Sequence, residues 1–310
     1  MGVRNALPSA NSGKAGPGHL LDSDTGTDLG RRSDTLRLAW ATDVHLNFVD
    51  ERGVDAFIGA VQKLGVAALI LSGDIGEAEN ADYFLTRIGD GVAIPTYFVL
   101  GNHDFYGGTF KETRHKVKRL TAEKPNLFYL SASDPIVSGV DLAIVGHDGW
   151  ADGRLGDYDE SDLVLNDYVL ITDFRPIKVT EGSLPLRPKS ERLKLMQAQA
   201  DEAARHLEWQ FSVLAASTKH IVVVTHVPPF REACWHNGRI SDDRSLPHFA
   251  NKVVGDMLLR EAERRADCQL TVLCGHTHSG GEARITDNLT VITGGAEYGK
   301  PKIQRVIEIS

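Results

Sequence analysis

The chain has 310 residues, of which 42% are hydrophobic and 25% are charged, the ordinary balance of a globular protein with a sizeable core. No apolar run reaches the roughly 18–20 residues of a membrane span, and the net charge of −8 argues against a broad surface for nucleic acid or anionic membranes. Because three cysteines are too few for a disulfide framework and residues 1–30 lack the pattern of a secretory signal, we expect a reducing, cytoplasmic location.

Residues 1–34 differ in composition from the rest of the chain. They are rich in Gly, Ser, Asp, Thr and Pro and contain few apolar residues. Such a segment cannot bury enough apolar surface to offset the entropy lost on ordering, which predicts a flexible N-terminal tail. Residues 35–310 are predicted to form the folded domain.

Short apolar runs alternate with helix-like stretches from residue 36 onward. Predicted strands at Leu36–Thr42, Val66–Leu71 and Thr96–Leu100 are separated by predicted helices near Val54–Leu64 and Ala78–Ile88. This alternation is typical of βαβ units and predicts an α/β fold. Each strand runs into a polar loop, and open α/β sheets place their sites at the carboxyl ends of their strands.

The second half of the sequence continues in the same manner. Apolar residues at three- and four-residue steps predict a long helix over 189–216, whose apolar stripe we interpret as core packing, and a second helix over 251–264. Further strands are predicted at Val140–Val145, Ile221–Thr225, Leu270–Cys274, Leu289–Thr293 and Ile303–Ile309.

Residues 148–175 form an acidic segment within the domain. From Asp148 to Asp173 there are eight acidic residues and one basic residue, Arg154, so that most of the net charge of the chain lies here. We favour a solvated surface insert as the interpretation, with a cap that selects the substrate as the alternative.

Polar residues with chemical potential follow the predicted strands in order. They are Asp43 and His45, then Asp74, then Asn102, His103 and Asp104, then His226, and finally His276 and His278. Each motif alone is weak, but together they would meet at one sheet edge. Burying so many carboxylates and imidazoles is costly unless they are paired or bind metal.

The types of side chain in this set suit a pair of metal ions. Imidazole, carboxylate and amide ligands together favour Mn, Fe, Co or Zn over Mg or Ca. Two-metal hydrolases hold their ions about 3.5–4 Å apart, a gap that a short carboxylate can bridge. Asp74, alone on its loop, is the bridging candidate.

The ordered motifs resemble the signature of the calcineurin-like metallophosphoesterase superfamily. The resemblance rests on Asp43-Val44-His45, Gly73-Asp74, Gly101-Asn102-His103-Asp104, the segment 225–229 around His226, and Gly275-His276-Thr277-His278. It implies a four-layer α/β fold with two facing mixed β-sheets flanked by helices. It also implies one metal ion on Asp43, His45, Asp74 and His278, and a second on Asp74, Asn102, His226 and His276.

The same resemblance makes His103 the catalytic histidine that is not a ligand. Metal-bound hydroxide would attack the phosphate, because a metal can lower the pKa of bound water to roughly 7. His103 would then protonate the leaving oxygen or orient the phosphate. Asp104 would support His103 from a second layer or cap the following helix, and the sequence leaves both roles open.

The predicted function is a dinuclear phosphoesterase that hydrolyses a small phosphomonoester or phosphodiester with two divalent or trivalent ions, Mn, Fe or Zn. The alternatives are a metal-dependent nuclease and a non-catalytic scaffold. The absence of a basic stripe with interleaved aromatics argues against the nuclease, and the presence of every expected ligand argues against the scaffold. We expect no nucleic-acid or membrane partner, and the sequence predicts neither the natural substrate nor the protein partners.

Several other residues near these motifs have weaker signals. Trp150 is interpreted as a packed aromatic, with a pocket wall as the alternative. Arg231, Arg239 and Arg244 are interpreted as surface residues, although a guanidinium there could bind phosphate. Cys274, close to His276, is expected to be buried as a small apolar residue.

Overall fold

A computed structural model of the chain describes residues 35–139, 141–176 and 186–309. The predicted tail, residues 1–34, lies outside these ranges, as does Val140, the first residue of one predicted strand. Within the described ranges, no helix has both the length and the hydropathy that a membrane span requires.

The described residues form thirteen strands. In chain order these are β1 (Leu36–Ala41), β2 (Ala68–Ser72), β3 (Thr96–Val99), β4 (Leu127–Tyr129), β5 (Ile136–Ser138), β6 (Leu142–His147), β7 (His220–Thr225), β8 (Trp235–His236), β9 (Arg239–Ile240), β10 (Gln269–Cys274), β11 (Gly281–Thr286), β12 (Leu289–Thr293) and β13 (Arg305–Ile309).

Seven α-helices accompany these strands in the described part of the chain. They are α1 (Glu51–Lys63), α2 (Ala81–Val92), α3 (Phe110–Glu123), α4 (Asp167–Leu170), α5 (Lys189–Val213), α6 (Leu246–Phe249) and α7 (Lys252–Arg264).

Most strands belong to two mixed sheets. The first has the order β13-β1-β2-β3-β4, in which β13 is antiparallel to β1 and the other pairs are parallel. The second has the order β11-β12-β10-β7-β6-β5, with antiparallel pairs at both edges and parallel pairs between them. The short strands β8 and β9 pair only with each other.

Three layers of apolar contact hold the domain together. Alternate residues of the two sheets, such as Trp40 and Tyr97 facing Val222 and Val224, form a core between the sheets. The opposite face of the first sheet packs against α1, α2 and α3, and the opposite face of the second packs against α5 and α7. The result is the predicted four-layer arrangement of two mixed sheets flanked by helices.

The predicted strands and long helices are present, with ends that differ by a few residues. Three helices, α3, α4 and α6, and five strands, β4, β5, β8, β9 and β11, have no predicted counterpart. Helix α3 buries only Phe110, Thr113 and Val117, so its apolar stripe is weak. Its start does have a local signal, because the Thr109 side chain accepts a hydrogen bond from the Glu112 amide, which is one of the two hydrogen bonds of a capping box.

Trp150 is packed in the core, as interpreted from the sequence. Its side chain is buried and makes edge-on contacts with Phe105 and Phe110, and its ring lies nearly parallel to that of Phe174. Cys274 is likewise buried, as expected.

Four of the eight acidic residues in the acidic segment are exposed, as a solvated insert predicts, whereas Asp148, Asp152 and Asp167 are buried. Asp148 is 1% exposed and holds together several parts of the fold. Its carboxylate accepts hydrogen bonds from the Leu100 amide (2.8 Å), the Arg114 guanidinium (3.0 Å) and the Tyr129 hydroxyl (2.6 Å). Burial alone would raise the pKa of Asp148, but Arg114 and these donors hold it below its ordinary value.

Replacing Asp148 should therefore destabilise the domain. We expect Asp148→Asn to lower the free energy of unfolding by about 3 kcal/mol, because it leaves Arg114 without its buried counter-charge. The measurement is urea denaturation followed by circular dichroism.

The matched control is Asp162→Asn, which makes the same charge change at an exposed position of the same segment. It should alter stability by less than about 0.5 kcal/mol. Equal unfolding midpoints for the two variants would contradict the role assigned to Asp148.

Candidate metal centre

The fold brings the predicted site residues to one edge of the two facing sheets. The loops after β1, β2 and β3 of the first sheet position Asp43 and His45, Asp74, and Asn102 and His103. The loops after β7 and β10 of the second sheet position His226, and His276 and His278. All of these strands are parallel neighbours within their sheets, so their carboxyl ends meet.

Four of these residues form one compact group. Ligand atoms of Asp43, His45, Asp74 and His278 all lie within 4.8 Å of one another. The Nε2 atoms of His45 and His278 are 3.1 Å apart, and Nε2 of His278 is 3.4 Å from the Asp43 carboxylate. The structure thus brings together the four residues that the resemblance implies as ligands of one ion.

The remaining predicted ligands surround the side-chain oxygen of Asn102. This Oδ1 atom lies 2.9 Å from Nε2 of His226 and 2.9 Å from Nδ1 of His276. The other ring nitrogens face backbone carbonyls, at 2.9 Å from Ser72 for His226 and 3.2 Å from His248 for His276. These carbonyls orient the two rings so that their free nitrogens point at Asn102.

Asp74 lies between the two groups. One carboxylate oxygen, Oδ2, is 3.7 Å from Nε2 of His45, whereas Oδ1 is 3.4 Å from Nε2 of His226. Oδ1 also accepts a hydrogen bond of 2.9 Å from the His103 amide. The two oxygens of one buried carboxylate therefore face the two halves of the centre.

The backbone at the centre is strained. Asp43, His45, Asp74, His276 and His278 all have φ between 41° and 70°, in the left-handed region that side chains other than glycine rarely adopt. Such strain concentrates at functional sites, where the surrounding structure enforces it.

Two glycines allow the loops to approach this closely. A Cβ atom at Gly275 would collide with the carboxylate of Asp43. One at Gly101 would collide with the Asp74 carboxylate and lie 2.6 Å from the Asp74 amide nitrogen. Because this amide belongs to the backbone, it has little freedom to move aside.

Burial controls the charge of the imidazoles. It lowers the pKa of His45 to about 4 and that of His276 to about 3, so both rings are neutral at pH 7. A neutral imidazole is the form that binds a metal ion. Burial, together with neighbouring Asp43, raises the pKa of Asp74 well above its ordinary value.

His103 faces the centre without joining either group. Its ring contacts those of His45 and Tyr106, with centroids 4.6 Å and 4.3 Å apart. Its Nε2 atom is 3.4 Å from the Tyr298 hydroxyl, and its Nδ1 atom is buried without a hydrogen-bond partner. Burial is the main reason that the pKa of His103 is lowered to about 2, and the charge of neighbouring histidines lowers it further.

Asp104 supports the centre through the backbone of two loops and does not cap the following helix. Its carboxylate accepts hydrogen bonds of 2.8–2.9 Å from the amides of Ile75, Gly76 and Gly101, and therefore ties the loop after β2 to the loop after β3. The residue that caps the following helix is Thr109. Asp104 thus fixes the position of Asp74 relative to Asn102.

The sequence reasoning missed Asp167, which lies in the acidic segment. Its Oδ1 atom accepts hydrogen bonds from the Asn102 amide nitrogen (2.8 Å) and the Tyr106 hydroxyl (2.7 Å). It therefore fixes the orientation of the Asn102 amide and turns Oδ1 of Asn102 toward the two histidines. No motif surrounds Asp167, so the sequence offers no signal for this role.

A cavity of about 300 Å³ opens over the centre. Tyr298 and Phe249, which the sequence also did not single out, form parts of its wall. Arg231, Arg239 and Arg244 do not line it, and Arg231 is paired with Asp243 instead. Among the described residues that line the cavity there is no lysine or arginine.

Comparison with known proteins gives a family and a fold. A family model described as calcineurin-like phosphoesterase matches residues 36–280. A phosphopantetheinyl hydrolase from Mycobacterium tuberculosis is 15% identical, with a TM-score of 0.58 over 83% of this chain and 89% of that chain. A dimetal phosphatase from Danio rerio is 15% identical, with a TM-score of 0.52 over 87% of this chain and 88% of that chain. The search of curated protein sequences gave no match.

Gly101→Ala should disrupt the centre through Asp74. We expect the variant to fold but to bind less metal than the wild type, because the new methyl group displaces the Asp74 carboxylate and backbone. The measurement is metal content after dialysis, by inductively coupled plasma mass spectrometry.

Gly59→Ala is the control for this substitution. A Cβ atom at Gly59, on helix α1, would meet no atom within 4 Å. Alanine there should leave the metal content unchanged and stabilise the helix by up to about 1 kcal/mol. Equal metal content in both variants would contradict the steric role of Gly101.

Proposed function

The chain belongs to the calcineurin-like phosphoesterase family, and we propose that within it this protein hydrolyses a small phosphomonoester or phosphodiester at a centre of two metal ions. As a member of this family it is a metal-dependent phosphoric ester hydrolase. The observation that supports the proposal best is the position of the Asp74 carboxylate, with one oxygen toward each group of ligands.

The proposed ligand sets follow the two groups. Asp43, His45, Asp74 and His278 would hold one ion. The second ion would be held by Asp74, Asn102, His226 and His276. The Oδ1 atom of Asn102 lies next to a ring nitrogen of each of these two histidines.

The residues present fit divalent ions. Two imidazole nitrogens and two oxygens from buried carboxylates, all within 4.8 Å of one another, form a donor set that suits a cation. Nitrogen and oxygen donors in this mixture favour Mn, Fe, Co or Zn, and we propose Mn, Fe or Zn as the ions. When bound, such ions supply a water of lowered pKa and positive charge beside the phosphoryl oxygens.

The protein itself contributes position and proton transfer. Asp104 and Asp167 hold Asp74 and Asn102 in place, so the ligands need little rearrangement to bind. His103, at the wall of the cavity, is proposed to donate a proton to the departing oxygen of the substrate once the negative charge of the bound phosphate has raised its pKa.

A small substrate suits the cavity better than a nucleic acid does. The volume of about 300 Å³ is that of a small-molecule site. A nucleic acid needs a row of positively charged side chains to bind its phosphates. The wall of this cavity contains Asp74 and Asp167, and no lysine or arginine is among the described residues that line it. The nuclease is therefore not favoured.

The first experiment measures metal content and turnover together. We expect apoprotein refilled separately with Mn, Fe, Zn, Co or Mg to bind close to two ions per chain and to hydrolyse p-nitrophenyl phosphate or bis-p-nitrophenyl phosphate. The ratio of the two rates separates a monoesterase from a diesterase.

Asp74→Asn serves as the variant for this experiment. It should reduce binding of both ions, because both ligand sets include this carboxylate. Unchanged stoichiometry would contradict the bridging role, and two bound ions without turnover of either ester would contradict the proposed range of substrates.

His103→Ala should affect poor leaving groups most. We expect metal content to be retained and turnover of an alkyl phosphate to fall by roughly 10²–10⁴, with a smaller loss for a nitrophenyl ester, whose leaving oxygen needs no proton. The measurement is kcat for both esters.

His115→Ala, at an exposed position of helix α3, is the control and should change neither rate. An equal loss of turnover for both esters in His103→Ala would exclude proton donation and assign His103 to orienting the phosphate instead.

A further inference from the structure

A second cavity lies beside the cavity over the metal centre. The two cavities share four lining residues, which are Leu165, His236, Phe249 and Thr277. The second cavity, called here the side recess, has a volume of about 310 Å³. The two cavities are therefore neighbours on the same face of the protein.

The lining of the side recess is chemically different from that of the centre. Besides the shared residues it contains Leu163 and Trp235, together with the hydroxyl side chains Ser241 and Ser245. No acidic residue, lysine or arginine is among the described residues that line it. Apolar and aromatic walls with a few small hydroxyl groups are typical of a site for an apolar part of a ligand.

The walls of the side recess are fixed in place. Strands β8 and β9 form a hairpin whose turn residues Asn237 and Gly238 have φ of 48° and 75°. The Asn237 amide donates a hydrogen bond to the Ser279 hydroxyl (3.2 Å), and the Trp235 indole packs so closely on Gly281 that a Cβ atom there would collide with it.

The opposite wall comes from the acidic segment and is also anchored. The Ser161 hydroxyl donates to the Arg244 carbonyl (2.7 Å) and lies 2.9 Å from Nε2 of His248. Just beyond this anchor, Leu163 remains 38% exposed. An exposed apolar side chain on a fixed loop beside a cavity is available to contact a ligand.

We propose that the side recess binds an apolar group of the substrate, such as an aromatic ring or an aliphatic chain, while the phosphate lies at the metal centre. This inference rests on the proposed function, because it takes the phosphate position from that centre. Phe249 lies between the side recess and the metal centre, since its ring is 5.1 Å from that of His276.

A sugar or other polyol would fit the side recess poorly, because most of its hydroxyl groups would lose hydrogen bonds to water without gaining partners in the protein. Leu163 and Leu165 belong to the acidic segment and line the side recess. Through them the segment would help to select the substrate, which is the alternative interpretation from the sequence.

The test uses phosphonates, which have a carbon–phosphorus bond that the proposed reaction cannot cleave. Methyl-, butyl- and hexylphosphonate are titrated into the metal-loaded protein by isothermal calorimetry. We expect affinity to rise with chain length, by roughly tenfold or more from methyl to hexyl, because each buried methylene favours binding. Phenylphosphonate should also bind more tightly than methylphosphonate.

A pair of neighbouring variants locates the effect. Leu163→Ser should lower the ratio of hexyl to methyl affinity severalfold, because it replaces an apolar wall of the recess. Val164→Ser removes an adjacent, 51% exposed apolar side chain that does not line the recess and should leave the ratio unchanged. Ser241→Phe, which fills the recess from another side, should lower the ratio as well.

The outcomes separate this inference from the proposed function. Equal affinities for methyl- and hexylphosphonate would overturn the role of the side recess and leave the phosphate site intact. An equal change of the ratio in Leu163→Ser and Val164→Ser would also overturn it. Failure of every phosphonate to bind the metal-loaded protein would overturn the phosphate site itself, and the inference with it.

Discussion

Two carboxylates, Asp43 and Asp74, are buried among four imidazole rings, and the arrangement of the whole sheet edge follows from the need to accommodate them. Isolated buried charges are too costly to persist, so each carboxylate is surrounded by donors. The His276 amide donates to Asp43, and the His103 amide donates to Asp74. These backbone donors can reach the carboxylates only because the loops adopt left-handed conformations and approach one another at glycines.

A second set of carboxylates keeps these loops in position. Asp104 joins two loops of the first sheet, Asp148 joins β3 to α3 and β4, and Asp167 orients the Asn102 amide. None of the three belongs to the proposed ligand sets. Acidic residues near such a centre are therefore of two kinds. Some would bind a cation, whereas others accept hydrogen bonds from backbone or side-chain donors, and only their structural surroundings distinguish the two.

The sequence predicted the parts of the site that depend on chain order. Asp43, Asp74, Asn102 and His226 each follow an apolar strand, and parallel strands bring their ends together whatever the loops contain. The parts that it could not predict depend on contacts between distant segments. Asp167 meets Asn102 across 65 positions, and the role of Asp104 is visible only once the β2 and β3 loops are adjacent. Charge counting described the acidic segment only in part, because it cannot separate a buried, hydrogen-bonded carboxylate such as Asp167 from a solvated one such as Asp162.

The division of the centre between two sheets has a consequence for the order of assembly. Asp43 and the His276 amide that binds it are 233 positions apart, and β13, at the end of the described chain, completes the first sheet beside β1. During synthesis the carboxylates and imidazoles of the early loops therefore stay in water until the segments that carry His276 and β13 have emerged. Contacts this distant in sequence slow folding, so acquisition of a native cation site would mark the last stage of maturation rather than an early one.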